Sequence, residues 1–258
     1  MKLIVLVKEV PDTYGDRVLS LETGLADRAA SEAVLDEISE RALEAALAFR
    51  DANADAEVVA LAVAPSDSVA TVRKALAMGA DRAVHVADEA LLGADVVLTA
   101  EVIAAAVKRE GFDVVVAGNA STDGSSGMVP AAVAEFLSVP HASGLSSVEI
   151  SDGKVSGARP VDGGVQQVEA LLPAVVSITE ALPDPRFPNF KGIMAAKKKP
   201  LEEVPLTELG VDAENPQAAR SIMLQVSEKP PREAGVKIVD EGDAGKQLAE
   251  FLIENRLV

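Results

Sequence analysis

Cysteine is absent from the 258-residue sequence. That excludes disulfides, thiolate metal sites, Cys-ligated iron–sulfur clusters and cysteine nucleophiles. Tryptophan is absent too, tyrosine occurs once, and aromatics make up only 3%. Any core must therefore be built from Ala, Val, Leu and Ile. The two histidines, His85 and His141, are too far apart for a local zinc motif. Basic residues are outnumbered, 24 Lys+Arg against 41 Asp+Glu, for a net charge of −17. That balance disfavours sequence-independent binding to nucleic acid or to anionic lipid. Long apolar runs are missing as well. Residues 96–107 are apolar but broken by Thr99 and Glu101, so nothing offers the ~20 apolar residues of a membrane span. The opening run, residues 3–7, is too short for a secretory h-region and no small-residue cleavage site follows it, so a cytoplasmic protein is expected. Without a secretory signal, the glycosylation-like Asn119-Ala120-Ser121 carries no such expectation.

What is present fits a globular chain: 48% hydrophobic and 25% charged residues, long enough for one large domain or two small ones. Residues 3–7, 57–64, 82–86, 112–117 and 173–178 are β-rich apolar runs, the pattern of strands buried on both faces. Between them the period changes to helical. A helix is expected from Asp36, its cap, with Ile38, Ala42, Ala45, Ala46 and Phe49 on one face. Others are expected from Pro65 to Met78, stopped by Gly79, over residues 94–109, and over residues 128–137. A hairpin is possible at residues 21–24. This alternation predicts a doubly wound, mostly parallel, Rossmann-like α/β sheet with right-handed crossovers. Residues 147–150, 154–157 and 165–169 mix polar and apolar side chains, and read as antiparallel hairpins joined at Ser151-Asp152-Gly153 and Asp162-Gly163-Gly164. After Pro183 the prolines crowd, and an extended arm with one terminal amphipathic helix, residues 245–255, is expected, which either wanders or lies on something else such as a partner subunit. The division is residues 1–182 for the α/β domain and 183–258 for the arm.

Ligands of open parallel sheets sit beyond the carboxyl ends of the strands. The richest loop there is Gly118-Asn119-Ala120-Ser121-Thr122-Asp123-Gly124-Ser125-Ser126-Gly127, small in side chains and leading into a helix. Unpartnered N–H groups and the helix dipole can hold a phosphate there without Lys or Arg. The same loop can also be read as a plain helix cap, and Asp123 as either cap or ribose acceptor. No Walker loop, no G-x-G-x-x-G after the first strand and no G-x-S-x-G occurs. His85 reads as a structural histidine, His141 as a loop residue without a partner, and Lys197-Lys198-Lys199 as a solvated run. No acid–base pair or nucleophile constellation emerges, so the chain reads as a nucleotide holder rather than an enzyme.

Four segments, in order, resemble the beta subunit of electron transfer flavoprotein: Val7-Lys8-Glu9-Val10-Pro11-Asp12; residues 73–82 (RKALAMGADR); residues 158–177, with Asp162-Gly163-Gly164 and Pro173-Ala174-Val175-Val176; and residues 185–199, from Pro185-Arg186-Phe187 to Lys199. The resemblance spans nearly the whole chain. It implies a heterodimer with an alpha subunit, an FAD shared with that subunit, and an AMP, or in electron-bifurcating relatives a second FAD, in the beta subunit. It implies electrons collected from acyl-CoA dehydrogenases and related flavoenzymes and passed to a quinone oxidoreductase. The flavin would then carry the redox chemistry that the chain itself lacks. Two other readings of such a fold are an adenine-nucleotide hydrolase or ligase, which would need a Ser-Gly-Gly loop after the first strand, and a self-associating nucleotide sensor.

By the same resemblance, nucleotide contacts fall on Leu6, Ala33, Val63, and the loop Gly118, Asn119, Ala120, Ser121, Thr122, Asp123, Gly124, Ser125, Ser126, Gly127, Met128 and Val129. The family's usual Asn-Pro is Ala33-Val34 here, and a usual Gln before the glycine is replaced in Ser125-Ser126-Gly127. A loop at residues 184–199 is implied to dock the dehydrogenases through an apolar anchor at Phe190. Phe187 is expected instead in a local hydrophobic cluster, and Tyr14 beside the place where an aromatic approaches the flavin.

Overall fold

The apolar runs pair side by side, all parallel, in a computed structural model that describes residues 1–15, 17–151, 153–232 and 234–258. In chain order the elements are β1 (Lys2–Leu6), β2 (Glu9–Pro11), β3 (Ala33–Leu35), α1 (Glu37–Ala52), β4 (Glu57–Val63), α2 (Val69–Met78), β5 (Arg82–Val86), α3 (Val96–Glu110), β6 (Val114–Gly118), α4 (Val129–Leu137), β7 (His141–Leu145), β8 (Glu149–Ser151), β9 (Lys154–Val161), β10 (Gly164–Leu171), β11 (Ala174–Ile178), α5 (Phe190–Ala196), β12 (Leu201–Val204), α6 (Leu206–Leu209) and α7 (Ala244–Glu254). The main sheet has seven strands in the order β12-β5-β4-β1-β6-β11-β7.

Side chains on its strands alternate between two cores. Leu3 and Val5 of β1 face a layer holding Leu43 and Leu47 of α1 and Leu76 of α2. Ile4, between them, faces Val102 and Ile103 of α3 and Val133 of α4. Helices thus cover both faces, which is why β1, β4, β6 and β11 read as unbroken apolar runs. From β1 the chain first winds outward through β4 and β5, then crosses back to β6 on the other side. The carboxyl ends of β1 and β6, neighbours in register from Leu3↔Val114 to Val5↔Val116, therefore flank the point where the winding reverses.

Several elements differ from the sequence reading. His141 lies in β7, an edge strand beside β11, not in a loop. The short pair β2–β3 is antiparallel, and residues 19 and 26 form an isolated antiparallel bridge around the expected turn. A 3-10 turn over Ser66–Ser68 precedes α2. The hairpin region is a three-stranded antiparallel sheet, β10-β9-β8; Asp152, in its first expected turn, lies outside the described residues.

Contacts divide the chain into two units, Met1–Leu224 and Gln225–Val258. β12 lies past the expected boundary at residue 182, yet pairs in parallel with β5 from Leu201↔Ala83 to Val204↔Val86. Residues 201–204 are thus part of the sheet rather than of an arm. The second unit carries α7, an amphipathic helix with none of its residues buried.

Candidate functional site

A crevice of about 140 Å³ opens at the carboxyl ends of β1, β4 and β6, far more than the ~10–15 Å³ one water needs. Its apolar walls come from Leu6, Leu61, Val63, Ile103 and Val129. Its polar side is the loop after β6. Gly118 ends that strand directly beneath α1. A Cβ there would lie 2.6 Å from Ile38 Cγ2 and 2.7 Å from Cγ1, so glycine is what lets α1 start this close to the crevice. The Asn119 amide donates to the Ile178 carbonyl (2.8 Å), fixing the start of the loop to β11.

Hydrogen bonds divide the loop amides into two groups. Ala120 N–H donates to Asn119 Oδ1 (2.9 Å), Thr122 N–H to Asp36 Oδ2 (3.1 Å), Gly124 N–H to Asp123 Oδ1 (2.6 Å) and Ser125 N–H to the Ser121 carbonyl (3.0 Å). Among the described residues, the amides of Ser121, Asp123, Ser126, Gly127 and Val129 donate no hydrogen bond within the chain. The last three lead into α4. Ser125 and Gly127 sit at φ 51° and 64°, left-handed steps of the kind that gather successive amides into an anion-binding concavity. The α4 dipole adds partial positive charge at the same place.

Charge on the loop is balanced locally. Lys8, just past β1, donates from Nζ to Asp123 Oδ1 (2.7 Å) and to Ser121 Oγ (3.2 Å). The Arg28 guanidinium lies 3.9 Å from the other Asp123 oxygen. Burial alone would raise the Asp123 carboxyl, but the Lys8 ammonium outweighs it, helped by Ser121 and the Gly124 amide, and the group titrates below its ordinary value. Asp36 has the opposite fate. It is 1% exposed, and burial raises its pKa more than the Thr122 amide lowers it. Among the described residues its Oδ1 and the Thr122 Oγ1 are buried without a partner. Asp36 stands at the cap position of α1, but makes no capping bond there; its side chain reaches across to the loop instead.

The structure brings together many of the sequence candidates and leaves others apart. Leu6, Val63, Gly118, Asn119, Ala120, Ser121, Ser126, Gly127 and Val129 line the crevice. Thr122, Asp123, Gly124, Ser125 and Met128 belong to the loop but not to its inner wall, and Ala33, an exposed residue of β3, is not among the lining residues. Asp36, read in the sequence as a helix cap, joins the site only in the structure. Lys8 also lines it, at the start of the loop that follows the first strand, a carboxyl end where ligands of such sheets sit.

Elsewhere, His85 is fully buried with Nε2 3.1 Å from the Ala64 carbonyl oxygen, a structural role as expected. His141 is not without a partner: Nε2 lies 3.1 Å from Ser177 Oγ, and burial, then Arg159, lower its pKa. Phe187 is 92% exposed, which corrects the expectation of a buried cluster; Phe190 is 80% exposed and Tyr14 98%. Lys199 is not solvated: its amine donates to three carbonyls. Among the described residues no cluster of metal-ligating side chains occurs, and no helix is long and apolar enough to cross a membrane.

Fold and crevice define a class, the Rossmann-like α/β proteins with a ligand-sized opening where the sheet's winding reverses. Within it, residues 23–209 match the model of the electron transfer flavoprotein domain. The chain is 44% identical to the electron transfer flavoprotein subunit beta of Mycobacterium leprae, over 99% of both chains. It is 35% identical to that of Syntrophomonas wolfei, over 98% and 96%. It is also 31% identical to the caffeyl-CoA reductase-Etf complex subunit CarD of Acetobacterium woodii, over 98% and 97%. The chain belongs to the electron transfer flavoprotein family, among its beta subunits.

Proposed function

We propose that this chain pairs with an electron transfer flavoprotein alpha subunit and holds an adenylate, AMP or the adenylate part of a second FAD, in the crevice between β1, β4 and β6. The single observation that carries this reading is the set of five amides that find no partner among the described residues, beside an open, apolar-walled crevice at the α4 N-terminus. Such amides hold a phosphate without a matching cation, which suits a chain of net charge −17. Leu6, Val63 and Val129 would enclose the base, and the loop from Gly118 to Gly127 would take the phosphate. Lys8 keeps Asp123 from opposing it.

The redox chemistry is supplied by an FAD shared with the alpha subunit. This chain contributes binding and orientation, and no catalytic group of its own. Electrons arrive from acyl-CoA dehydrogenases and related flavoenzymes and leave to a quinone oxidoreductase. The part of residues 183–258 outside the sheet serves as a partner-facing arm. Its segment before β12 docks the donors through Phe190, whose exposed ring suits an apolar pocket. The cytoplasm is the proposed compartment.

The test is acid release of nucleotide from the purified heterodimer, followed by mass spectrometry. One FAD with one AMP is expected. Two FAD would assign the crevice to a second flavin. A heterodimer with full flavin content but no second adenylate would refute the crevice assignment.

A further inference from the structure

Residues 186–199 are tied at both ends and apolar in between. At the first end, Arg186 grips α1. Its Nε and Nη2 donate to the two oxygens of Glu44 (2.7 and 2.8 Å), its Nη1 donates to Asp51 Oδ2 (2.8 Å), and its own amide donates to Glu44 Oε2 (3.0 Å). This is the two-pronged arginine–carboxylate geometry, stronger and more directional than a single ion pair. At the other end, Lys199 Nζ donates to the carbonyls of Leu76 (3.1 Å), Gly79 (3.1 Å) and Ala80 (2.6 Å), where α2 ends. All three ammonium donors are used at the carboxyl end of α2, where the Gly79 carbonyl also accepts from Arg50 Nη1 (2.7 Å).

Between these ties α5 sits close on α2. A Cβ on Gly192 would lie 2.5 Å from the Ala77 carbonyl oxygen, so the two backbones touch. Asn189 Oδ1 accepts from the Gly192 amide (2.8 Å) and starts the helix. The outward residues are Phe187, Phe190, Ile193 and Met194, all exposed. Lys191, Lys197 and Lys198 are exposed beside them. On a molecule with 41 acidic residues against 24 basic ones, this is a cationic rim around an apolar face. The matching occupant is an apolar pocket with an acidic rim on a donor flavoenzyme.

We propose that Arg186 and Lys199 are positioning residues that hold α5 and its apolar face in one pose before the donor arrives. This rests on the reading of residues 184–199 as the docking segment. A segment ordered only on contact would lose affinity to the ordering itself; one held beforehand does not. Neither tie tolerates exchange of the cation. Lysine at 186 keeps the charge but loses the fork, and arginine at 199 cannot serve as a compact three-way donor.

The test uses the intact heterodimer with Arg186→Lys, Lys199→Met and, from the helix side, Glu44→Gln. Hydrogen exchange read by mass spectrometry follows peptides covering residues 187–198, with sheet peptides as the folding control. Donor-dependent flavin reduction gives KM and kcat. Segment protection is expected to fall about tenfold in each variant with the sheet unchanged, and KM for the donor to rise about tenfold while kcat changes less than twofold. Unchanged protection would overturn the brace. Lost protection with an unchanged KM would overturn the tie between brace and docking, without touching the adenylate reading. Should Arg186→Lys fail to assemble, Glu44→Gln decides the same question.

Discussion

Replacing Lys8 with Met tests whether neutralising Asp123 is what makes the amide loop hospitable to an anion. The Lys8 side chain is 41% exposed and that of Asp123 13%. A hydrogen bond between charged groups contributes about 1.5–3 kcal/mol when sheltered. With one partner more than a third exposed, solvent screening reduces the effect on folding to about 1 kcal/mol. Nucleotide binding should suffer more than folding. The Asp123 charge would then stand in the loop that supplies the free amides, with Arg28, 3.9 Å away, as the one remaining counter-charge among the described residues. Like charges at neighbouring positions in a half-exposed site repel by about 1–2 kcal/mol, which weakens binding by roughly 5- to 30-fold. The assay is calorimetric titration of AMP into nucleotide-stripped heterodimer, for the wild type, Lys8→Met, Asp123→Asn and the double variant. Lys8→Met should bind about tenfold more weakly, and Asp123→Asn within about threefold of wild type. The double variant should match Asp123→Asn, because without the carboxylate the lysine has nothing to neutralise. A Lys8→Met titration that superimposes on the wild type would refute the reasoning. So would a double variant as weak as Lys8→Met, which would mean that the ammonium meets the nucleotide itself.

Gly118→Ala should destabilise the fold by about 1–3 kcal/mol, since its methyl would fall within the Ile38 side chain, and should lower bound adenylate; urea unfolding and nucleotide content check both. Asp36 titrates above its ordinary value of 3.8, so the folded state holds its proton to higher pH than the unfolded chain and stability from this group falls as pH rises through that interval. Asp36→Asn should therefore raise Tm at neutral pH and leave it nearly unchanged below pH 3.8; a shift equal at every pH would contradict this. Phe190→Ala should slow donor-to-flavin electron transfer in stopped-flow mixing while flavin content stays normal. Its exposed ring also predicts a stability change within about 0.5 kcal/mol.

The centre of the sheet was legible because burial on both faces leaves a plain mark. β1, β4, β6 and β11 are dominated by Val, Ile, Leu and Ala, and β5 keeps Ala83, Val84 and Val86 around its buried His85. The edges left no such mark. β7 reads His141-Ala142-Ser143-Gly144-Leu145, with Gly144 at φ 64° and a register shift against β11. β12 reads Leu201-Glu202-Glu203-Val204, half of it charged, because one edge faces outward. The loop after β6 was legible as a backbone site because small residues before a helix free the amides. The side chains that tune it were not. Asp36 looks like a helix cap in sequence, and only the fold shows it turned toward Thr122, 86 positions away. Lys199 likewise looked like one of three solvated lysines, and its carbonyl partners lie 119 to 123 positions back in the chain.

The late strand β12 also bears on how the polypeptide is made. Until residues 201–204 leave the ribosome, the outer side of β5 has no partner. At ~5–20 residues per second, the stretch after Val86 takes on the order of ten seconds to synthesise. Throughout that time an unpaired strand rim, a ready template for another nascent chain, stays uncovered. Glu202 and Glu203 belong to the strand that finally closes it, and their charges then discourage a further chain from adding to the new border.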